Sequence, residues 1–290
     1  MRPTLPCRVF IPTSHVPGSS HPLYINIHGG GFFAGDAPYD DKICHYLCER
    51  FNYVVVSLQY RLAPRFPFPV PVDDCTELVA AVLADEDLPI DVDQRRVVVG
   101  GQSAGGTLAL ALAQDPRLRS RISALVVFYA ATDFSRVYAG EYRDRPSGPD
   151  GKGGQRDGLR GVVPLAEWAY VPYGWDRTDP RLSPVYAEGG NLPRNIYFVA
   201  AQYDKLCAEE FEMARRLVGD KDGTEGLGEE GGWRKGGVRW ERVVGEVHGF
   251  IEAGWNEEFF GRGDGQPWKT EVEGVLGRVD EWLRELWRTT

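Results

Sequence analysis

The sequence predicts an α/β fold in which a mostly parallel, doubly wound sheet is covered by helices on both faces. Short, apolar, β-branched runs alternate with helical patterns along all 290 residues, as in sheets that are buried on both sides. The hydrophobic fraction of 42% is enough for a substantial core, and no internal repeat is evident. Residues 1–290 are therefore expected to form one domain.

Six runs are predicted as strands, because each is short and nearly all of its residues are apolar. In chain order they are residues 23–27, 53–58, 96–99, 124–129, 196–200 and 238–244. Apolar residues at helical spacing predict the helices between them. These are residues 39–51, 75–83, 107–113, 208–218 and 271–287.

Two segments interrupt this alternation. Residues 134–186 begin with a Gly- and Arg-rich run, continue with an aromatic stretch and lie between two core strands. They are predicted to form an insertion over the sheet. Residues 219–237 are rich in Gly, Glu and Lys with few apolar side chains, which predicts a flexible surface loop.

Charge and cysteine usage exclude several classes of protein. With 33 basic and 42 acidic residues the net charge is −9, which disfavours nucleic acid or an anionic membrane surface as partner. Every apolar run is shorter than the roughly 20 residues of a membrane span, and the N-terminus lacks the apolar region of a secretory signal. Five scattered cysteines without a C-x-x-C pair indicate free thiols in a reducing compartment, which predicts a cytoplasmic protein.

Cys44, His45 and Cys48 lie close together in the sequence, which raises the alternative of a metal site. A helix with the two cysteines on its inner face is the favoured interpretation, because a free cysteine packs like a small apolar side chain. No other Cys or His cluster could complete four ligands. We therefore expect neither a metal nor another cofactor.

The segment 101–106, of sequence G-Q-S-A-G-G, follows the apolar run 97–99 directly. It is a G-x-S-x-G pattern, which is typical of a strand that turns sharply into a helix with a serine at the apex. The glycines leave room for a strained turn and for close contact of strand and helix. The pattern predicts that the Ser103 hydroxyl stands at the end of the sheet, where a substrate carbonyl can reach it.

A serine hydroxyl is a poor nucleophile at neutral pH without an adjacent base. Of the five histidines, only His248 follows Ser103, as the usual chain order of serine, acid and histidine requires. Taken singly, His248 would be interpreted as a surface residue beside a turn glycine; with the serine motif, the catalytic interpretation is favoured. Asp204, after the predicted strand 196–200, is favoured as the acid that orients the imidazole. Asp133, after the preceding strand, is the alternative.

A glycine-rich loop, residues 28–32 of sequence H-G-G-G-F, follows the first predicted strand. Its three glycines can turn their backbone N–H groups toward a developing negative charge, and the amide of Ala104 completes the set. The pattern therefore predicts an oxyanion hole. A phosphate-binding loop is disfavoured, because neither the G-x-G-x-x-G spacing nor a Gly-Lys-Ser/Thr sequence is present.

Together these motifs resemble the hormone-sensitive-lipase-like family of α/β-hydrolase carboxylesterases. They occur in the family's order and extend from about residue 20 to residue 250. The matching segments are 28–31 (HGGG), 60–64 (YRLAP) with Pro67 and Pro69, 101–106 (GQSAGG), Asp204, and 248–250 (HGF).

The resemblance implies an α/β-hydrolase fold and a role for each matching residue. The implied nucleophile is Ser103, and its implied partners are Asp204 and His248. The implied oxyanion donors are Gly29, Gly30 and Ala104. The resemblance also implies that His28 orients the glycine loop and is not the general base, and that residues 134–186 belong to a cap that shapes the acyl and alcohol pockets.

Three features depart from the family pattern. Gln102 stands where Asp is usual, and Arg65 stands where Glu is usual. Only 27 residues precede His28, whereas family members commonly have a longer N-terminal segment that forms part of the cap. A shortened N-terminal cap is therefore expected, with either a more open pocket or a chain whose start is missing.

The expected function is hydrolysis of small-molecule carboxylic esters through an acyl-enzyme on Ser103. The aromatic residues Trp168, Tyr170, Tyr173 and Trp175 predict small to medium apolar substrates. An amide or lactone hydrolase acting on a natural product would use the same residues and stays an alternative. A ligand-binding protein or a non-hydrolytic cyclase on the same fold is the alternative from another class, disfavoured because every catalytic element is present. A monomer and a homodimer are both compatible with the sequence.

Overall fold

The computed structural model describes residues 5–85, 91–149, 151, 153–220, 228–253 and 267–288. Eight strands are found in these residues: β1 (Cys7–Phe10), β2 (His21–Ile27), β3 (Val54–Leu58), β4 (Val92–Gln102), β5 (Ala124–Phe128), β6 (Ile196–Tyr203), β7 (Gly232–Lys235) and β8 (Val238–Val247). They form one sheet in the order β1-β3-β2-β4-β5-β6-β8-β7. The edge strands β1 and β7 pair antiparallel and all other pairs are parallel, which confirms the predicted mostly parallel sheet.

Helices cover both faces of this sheet. They are α1 (Asp41–Phe51), α2 (Val70–Ala84), α3 (Ala104–Leu112), α4 (Pro116–Arg119), α5 (Leu159–Tyr170), α6 (Cys207–Leu217), α7 (Phe250–Ala253) and α8 (Pro267–Arg288). One apolar cluster joins the sheet to α2, α3 and α6, and the other joins it to α1, α7 and α8. Neighbouring strand residues alternate between the clusters, Val99 in the first and Val98 in the second, because successive side chains point to opposite faces.

The helix interpretation of the first cysteine cluster is confirmed. Cys44 and Cys48 are buried on the inner face of α1, whereas His45 is exposed. Within the described ranges, no group of three or more His, Cys, Asp or Glu side chains is arranged to hold a metal ion.

The segment 219–237 differs from the predicted surface loop. Its residues Gly232–Lys235 form β7, which pairs with β8 at the edge of the sheet. Trp233 packs against the core from this strand, opposite Trp240 of β8. The strand escaped prediction because an edge strand needs only one apolar side chain to face the core, so no apolar run marks it. Residues 221–227 lie outside the described residues.

Helix α5 forms within the segment 134–186, between β5 and β6. Tyr170, at its end, stacks on Phe32 of the glycine-rich loop with ring centroids 3.7 Å apart. The backbone carbonyl of Tyr170 accepts a hydrogen bond from the Phe68 N–H at 2.8 Å. These contacts fix α5 beside the loop that follows β2.

The turn from β4 into α3 depends on two very close backbone contacts. A Cβ atom at Gly105 would lie 1.9 Å from the carbonyl oxygen of Ile27, and one at Gly101 would lie 2.5 Å from the carbonyl carbon of Gly105. Ser103, between them, has φ +52°, a conformation that L side chains rarely adopt. Its backbone N–H donates to Phe128 O at 2.9 Å. The glycines of the motif are therefore required for the packing of α3 on the end of β2.

Gly105→Ala is expected to destabilise the protein by about 3 kcal/mol, because the added methyl group meets a backbone carbonyl that cannot move independently. Gly277→Ala is the control, since Gly277 lies in α8 with nothing within 4 Å of the added Cβ. It should stabilise the protein by about 1 kcal/mol through helix propensity. Urea unfolding of both variants measures the difference; equal stabilities would contradict the close contact.

Candidate active site

The structure brings Ser103, His248 and Asp204 together at one edge of the sheet. Each follows a strand directly, β4, β8 and β6 respectively, and the carboxyl ends of parallel strands lie at the same edge. Ser103 Oγ lies 2.9 Å from His248 Nε2, and His248 Nδ1 lies 2.8 Å from Asp204 Oδ2. Asp204 is fully buried, and its other oxygen accepts the Leu206 N–H at 2.8 Å.

Asp133, the alternative acid, is occupied in its own turn. Its carboxylate accepts the N–H and hydroxyl of Ser135 at 2.9 and 2.5 Å and the N–H of Tyr138 at 2.6 Å. The structure therefore places Asp204, and not Asp133, at hydrogen-bond distance from His248.

The surroundings of His248 favour its protonated form. Burial lowers its pKa, but the charge and the hydrogen bond of Asp204 raise it, and Glu252 and Asp157 add to this effect. The resulting pKa lies above the ordinary value of 6.5. A proton taken from Ser103 would therefore be held well by this imidazole.

The glycine-rich loop is oriented through its carbonyl groups. Tyr60 Oη lies 3.0 Å from His28 O and 3.2 Å from Gly29 O, and His28 Nδ1 donates to Gly29 O at 2.8 Å. Across a trans peptide the N–H points away from the carbonyl. The N–H groups of Gly29 and Gly30 are therefore directed away from Tyr60. The N–H of Ala104, the first residue of α3, belongs to the helix-terminal donors without an intrahelical acceptor.

His28 is a buried, neutral histidine. Burial lowers its pKa to about 4, against the smaller effects of the Gly29 carbonyl and Asp36. Its ring stacks on that of Tyr60 with centroids 4.3 Å apart. The structure thus places His28 on the carbonyl side of the loop and away from the contacts that join Ser103 to His248.

The two side chains that depart from the family pattern have separate surroundings. With its amide oriented to donate, Gln102 Nε2 lies 3.1 Å from Asp40 Oδ2 and 3.2 Å from Ile27 O. Asn26 donates to the same Asp40 oxygen at 2.7 Å. Arg65, by contrast, is exposed and lies over the ring of Phe66 at 5.3 Å.

A cleft of about 560 Å³ opens beside Ser103 and Ala104. Its apolar walls are Phe32, Ala131, Phe134, Ala139, Leu159, Val162, Val163, Ala166 and Leu206. Asp133, Arg136, Glu167, Lys205 and Glu209 add polar groups. The expectation that aromatic side chains of the segment 134–186 form the pocket is corrected here. Trp168 and Tyr173 are exposed, and Tyr170 and Trp175 pack against Phe68 instead.

Three residues of the site escaped functional assignment from sequence. Tyr60 was part of a quoted motif, but its contact with the glycine loop spans 32 residues of chain. Tyr129 contacts the imidazole of His248, and Glu252 contacts Tyr129. The available signals were weak: Tyr129 directly follows a strand, and Glu252 lies about one helical turn after His248.

Comparison with known proteins assigns the family. A family model described as alpha/beta hydrolase fold matches residues 24–251, which include every site residue named above. The chain belongs to the α/β-hydrolase family. The resemblance to its hormone-sensitive-lipase-like carboxylesterases is confirmed with it.

Relatives of this α/β-hydrolase are ester hydrolases by name. It is 29% identical to an ethyl acetate hydrolase of Pseudomonas putida, over 74% of this chain and 65% of that protein. It is 31% identical to the carboxylic ester hydrolase LipN of Mycobacterium tuberculosis, over 73% of this chain and 56% of that protein. The chain thus spans less than two thirds of the length of both.

The fold is shared with solved esterase structures. An esterase of the archaeon Pyrobaculum calidifontis superposes with a TM-score of 0.73 at 25% identity, covering 97% of this α/β-hydrolase chain and 81% of the other. Among the described residues of the present chain, no helix is long and apolar enough to cross a membrane.

Tyr60→Phe is expected to lower kcat for p-nitrophenyl butyrate about tenfold with little change in KM, because misdirected loop N–H groups act mainly on the oxyanion of the transition state. Tyr170→Phe is the matched control: the Tyr170 hydroxyl is buried and has no hydrogen-bond partner among the described residues. Steady-state kinetics of both variants tests this, and an unchanged kcat in Tyr60→Phe would contradict the orienting role.

The pH dependence of kcat/KM should show an acid limb with a midpoint above 6.5. Neutral His248 is the form that accepts the serine proton, and its pKa lies above that value, so activity is lost as the pH falls through this pKa. Asp204→Asn removes the main group that raises the pKa and should move the midpoint downward. A wild-type midpoint below 6.5 in the pH–rate profile would contradict the electrostatic description.

Proposed function

We propose that the protein is a serine hydrolase that cleaves carboxylic esters through an acyl-enzyme on Ser103. The observation that carries this proposal is the continuous chain of hydrogen bonds from Ser103 Oγ through His248 to Asp204, at 2.9 and 2.8 Å. A nucleophile, its base and an orienting acid in this relation are the parts that acyl transfer needs. The two ester hydrolases named above support the same reaction.

In this mechanism His248 accepts the hydroxyl proton as Ser103 Oγ attacks the ester carbonyl. Asp204 holds the proton on Nδ1 and stabilises the imidazolium. The oxyanion accepts hydrogen bonds from the N–H groups of Gly29, Gly30 and Ala104. The imidazolium then donates its proton to the leaving alcohol. Water, deprotonated by His248, attacks the acyl-enzyme, and the acid leaves as Ser103 regains its proton.

The cleft supports a substrate of small to medium size with an apolar group next to the ester. Apolar side chains of α5 form one wall, and its volume of about 560 Å³ is within the usual range for small-molecule pockets. In this proposal residues 134–186 act as the cap over that substrate. A cytoplasmic location stays a prediction from the cysteines.

Ser103→Ala is expected to abolish labelling by a fluorophosphonate probe and to lower kcat by about 10⁴-fold or more, because the nucleophile is lost. The control is Ser14→Ala, an exposed serine that should leave labelling unchanged. Hydrolysis is measured on p-nitrophenyl esters from acetate to laurate, with the shorter chains expected to react fastest.

Anilides and lactones are assayed beside the esters. Faster turnover of either class than of any ester would replace the ester assignment by the amide or lactone alternative. Folded wild-type protein that takes no fluorophosphonate label would overturn the serine hydrolase proposal and return the binding or cyclase alternative.

A further inference from the structure

Two buried side chains lie directly behind His248. The ring of Tyr129, just after β5, meets the imidazole edge-on with centroids 5.0 Å apart. The Tyr129 hydroxyl donates a hydrogen bond to Glu252 of α7. Tyr129 is 0% exposed and Glu252 is 7% exposed. The pair therefore forms a fixed wall behind the imidazole.

Tyr129 is held in a strained conformation. Its φ is +38°, which costs a non-glycine residue of order 1–3 kcal/mol unless surrounding contacts compensate. Its N–H donates to Val199 O at 2.9 Å, and the preceding carbonyl, of Phe128, accepts the N–H of Ser103 at 2.9 Å. The segment 128–129 thus contacts Ser103 through its backbone and His248 through its ring.

Glu252 also lies against the glycine-rich loop. A Cβ atom at Gly29 would stand 3.2 Å from Glu252 Oε1 and 3.6 Å from Ser103 Cβ. The carboxylate is therefore next to the backbone of a predicted oxyanion donor, while its other oxygen accepts from Tyr129. One side chain is in this way close to all three parts of the site.

We propose that Glu252, held in place by Tyr129, is a positioning residue for His248, a second carboxylate that stabilises the imidazolium formed when Ser103 attacks. This inference rests on the proposed function. Asp204 hydrogen-bonds the imidazole directly; Glu252 acts on it through space and through the ring of Tyr129. In a buried site, where charges are poorly screened, such a contribution is large enough to measure.

The groups that face this pair come from several elements. Those that act on His248 are Asp204 after β6, Asp157 before α5, Tyr129 after β5 and Glu252 in α7. Those that act on Glu252 or are acted on by it are His248, Tyr129, Tyr39 and Asp40. The charged groups in both sets, other than the imidazolium itself, are carboxylates. Removing the charge of Glu252 therefore lowers the stability of the imidazolium.

A second tyrosine–carboxylate pair provides the matched control. Tyr53, also buried, donates to Asp280 of α8 at 2.5 Å, and neither residue is among those that act on His248. Loss of charge at Asp280 reports the cost of disturbing a pair of the same chemistry. Any effect specific to Glu252→Gln is then due to its position.

The test measures Glu252→Gln, Tyr129→Phe, their double variant and Asp280→Asn. In Glu252→Gln, the pKa of His248 followed by NMR and the acid limb of kcat/KM should both fall by about 0.5–1 pH unit, with kcat about fivefold lower and KM nearly unchanged. Tyr129→Phe should act in the same direction. The double variant should be no worse than the stronger single change, since the two residues form one unit.

A His248 pKa that is equal in wild type, Glu252→Gln and Asp280→Asn would overturn the proposal, as would additive effects in the double variant. The NMR titration separates this inference from the proposed function. If the wild type hydrolyses no ester, the function fails, while a shift confined to Glu252→Gln still supports the electrostatic contact. If Glu252→Gln does not fold, Glu252→Asp must preserve the acid limb for the proposal to stand.

Discussion

The contact between the first turn of α3 and the end of β2 is the constraint on which the site depends. Gly105 reaches the carbonyl of Ile27 so closely that no Cβ fits between them, and this approach forces the tight turn at Ser103. The same contact brings the start of α3 beside the loop that follows β2. Nucleophile and oxyanion donors are thus placed by one backbone packing, before any side chain of the site contributes.

The parts of the site with a local sequence pattern were predictable. The turn at Ser103 is set by its glycines, and His248 was reached because no other histidine follows the serine. Between Asp204 and Asp133 the sequence favoured the first without excluding the second, since both follow strands; only the distances to the imidazole separate them. Sheet and helices could be predicted for the same reason, because a strand buried on both faces produces a continuous apolar run.

What escaped prediction depends on contacts between distant segments. Tyr60 acts on carbonyl groups 31 and 32 residues before it, and Tyr129 is 123 residues from Glu252; no spacing in the chain encodes either distance. The edge strand β7 was missed because only one of its faces meets the core. The aromatic residues of the segment 134–186 were assigned to the pocket on composition, but composition does not say which way a side chain points.

Gln102 is explained by the acids around it. Asp40 is buried, and burial together with the charge of Glu252 raises its pKa to about 8. An aspartate at position 102, usual in the resembled family, would add a third carboxyl group where two already repel each other, and a buried charge without a partner is costly. Gln102 instead donates to Asp40 from the residue that precedes the nucleophile. In this chain the polar support beneath Ser103 therefore combines an acid on the loop before α1 with an amide on the turn, and the charge near the imidazole is left to Asp204 and Glu252.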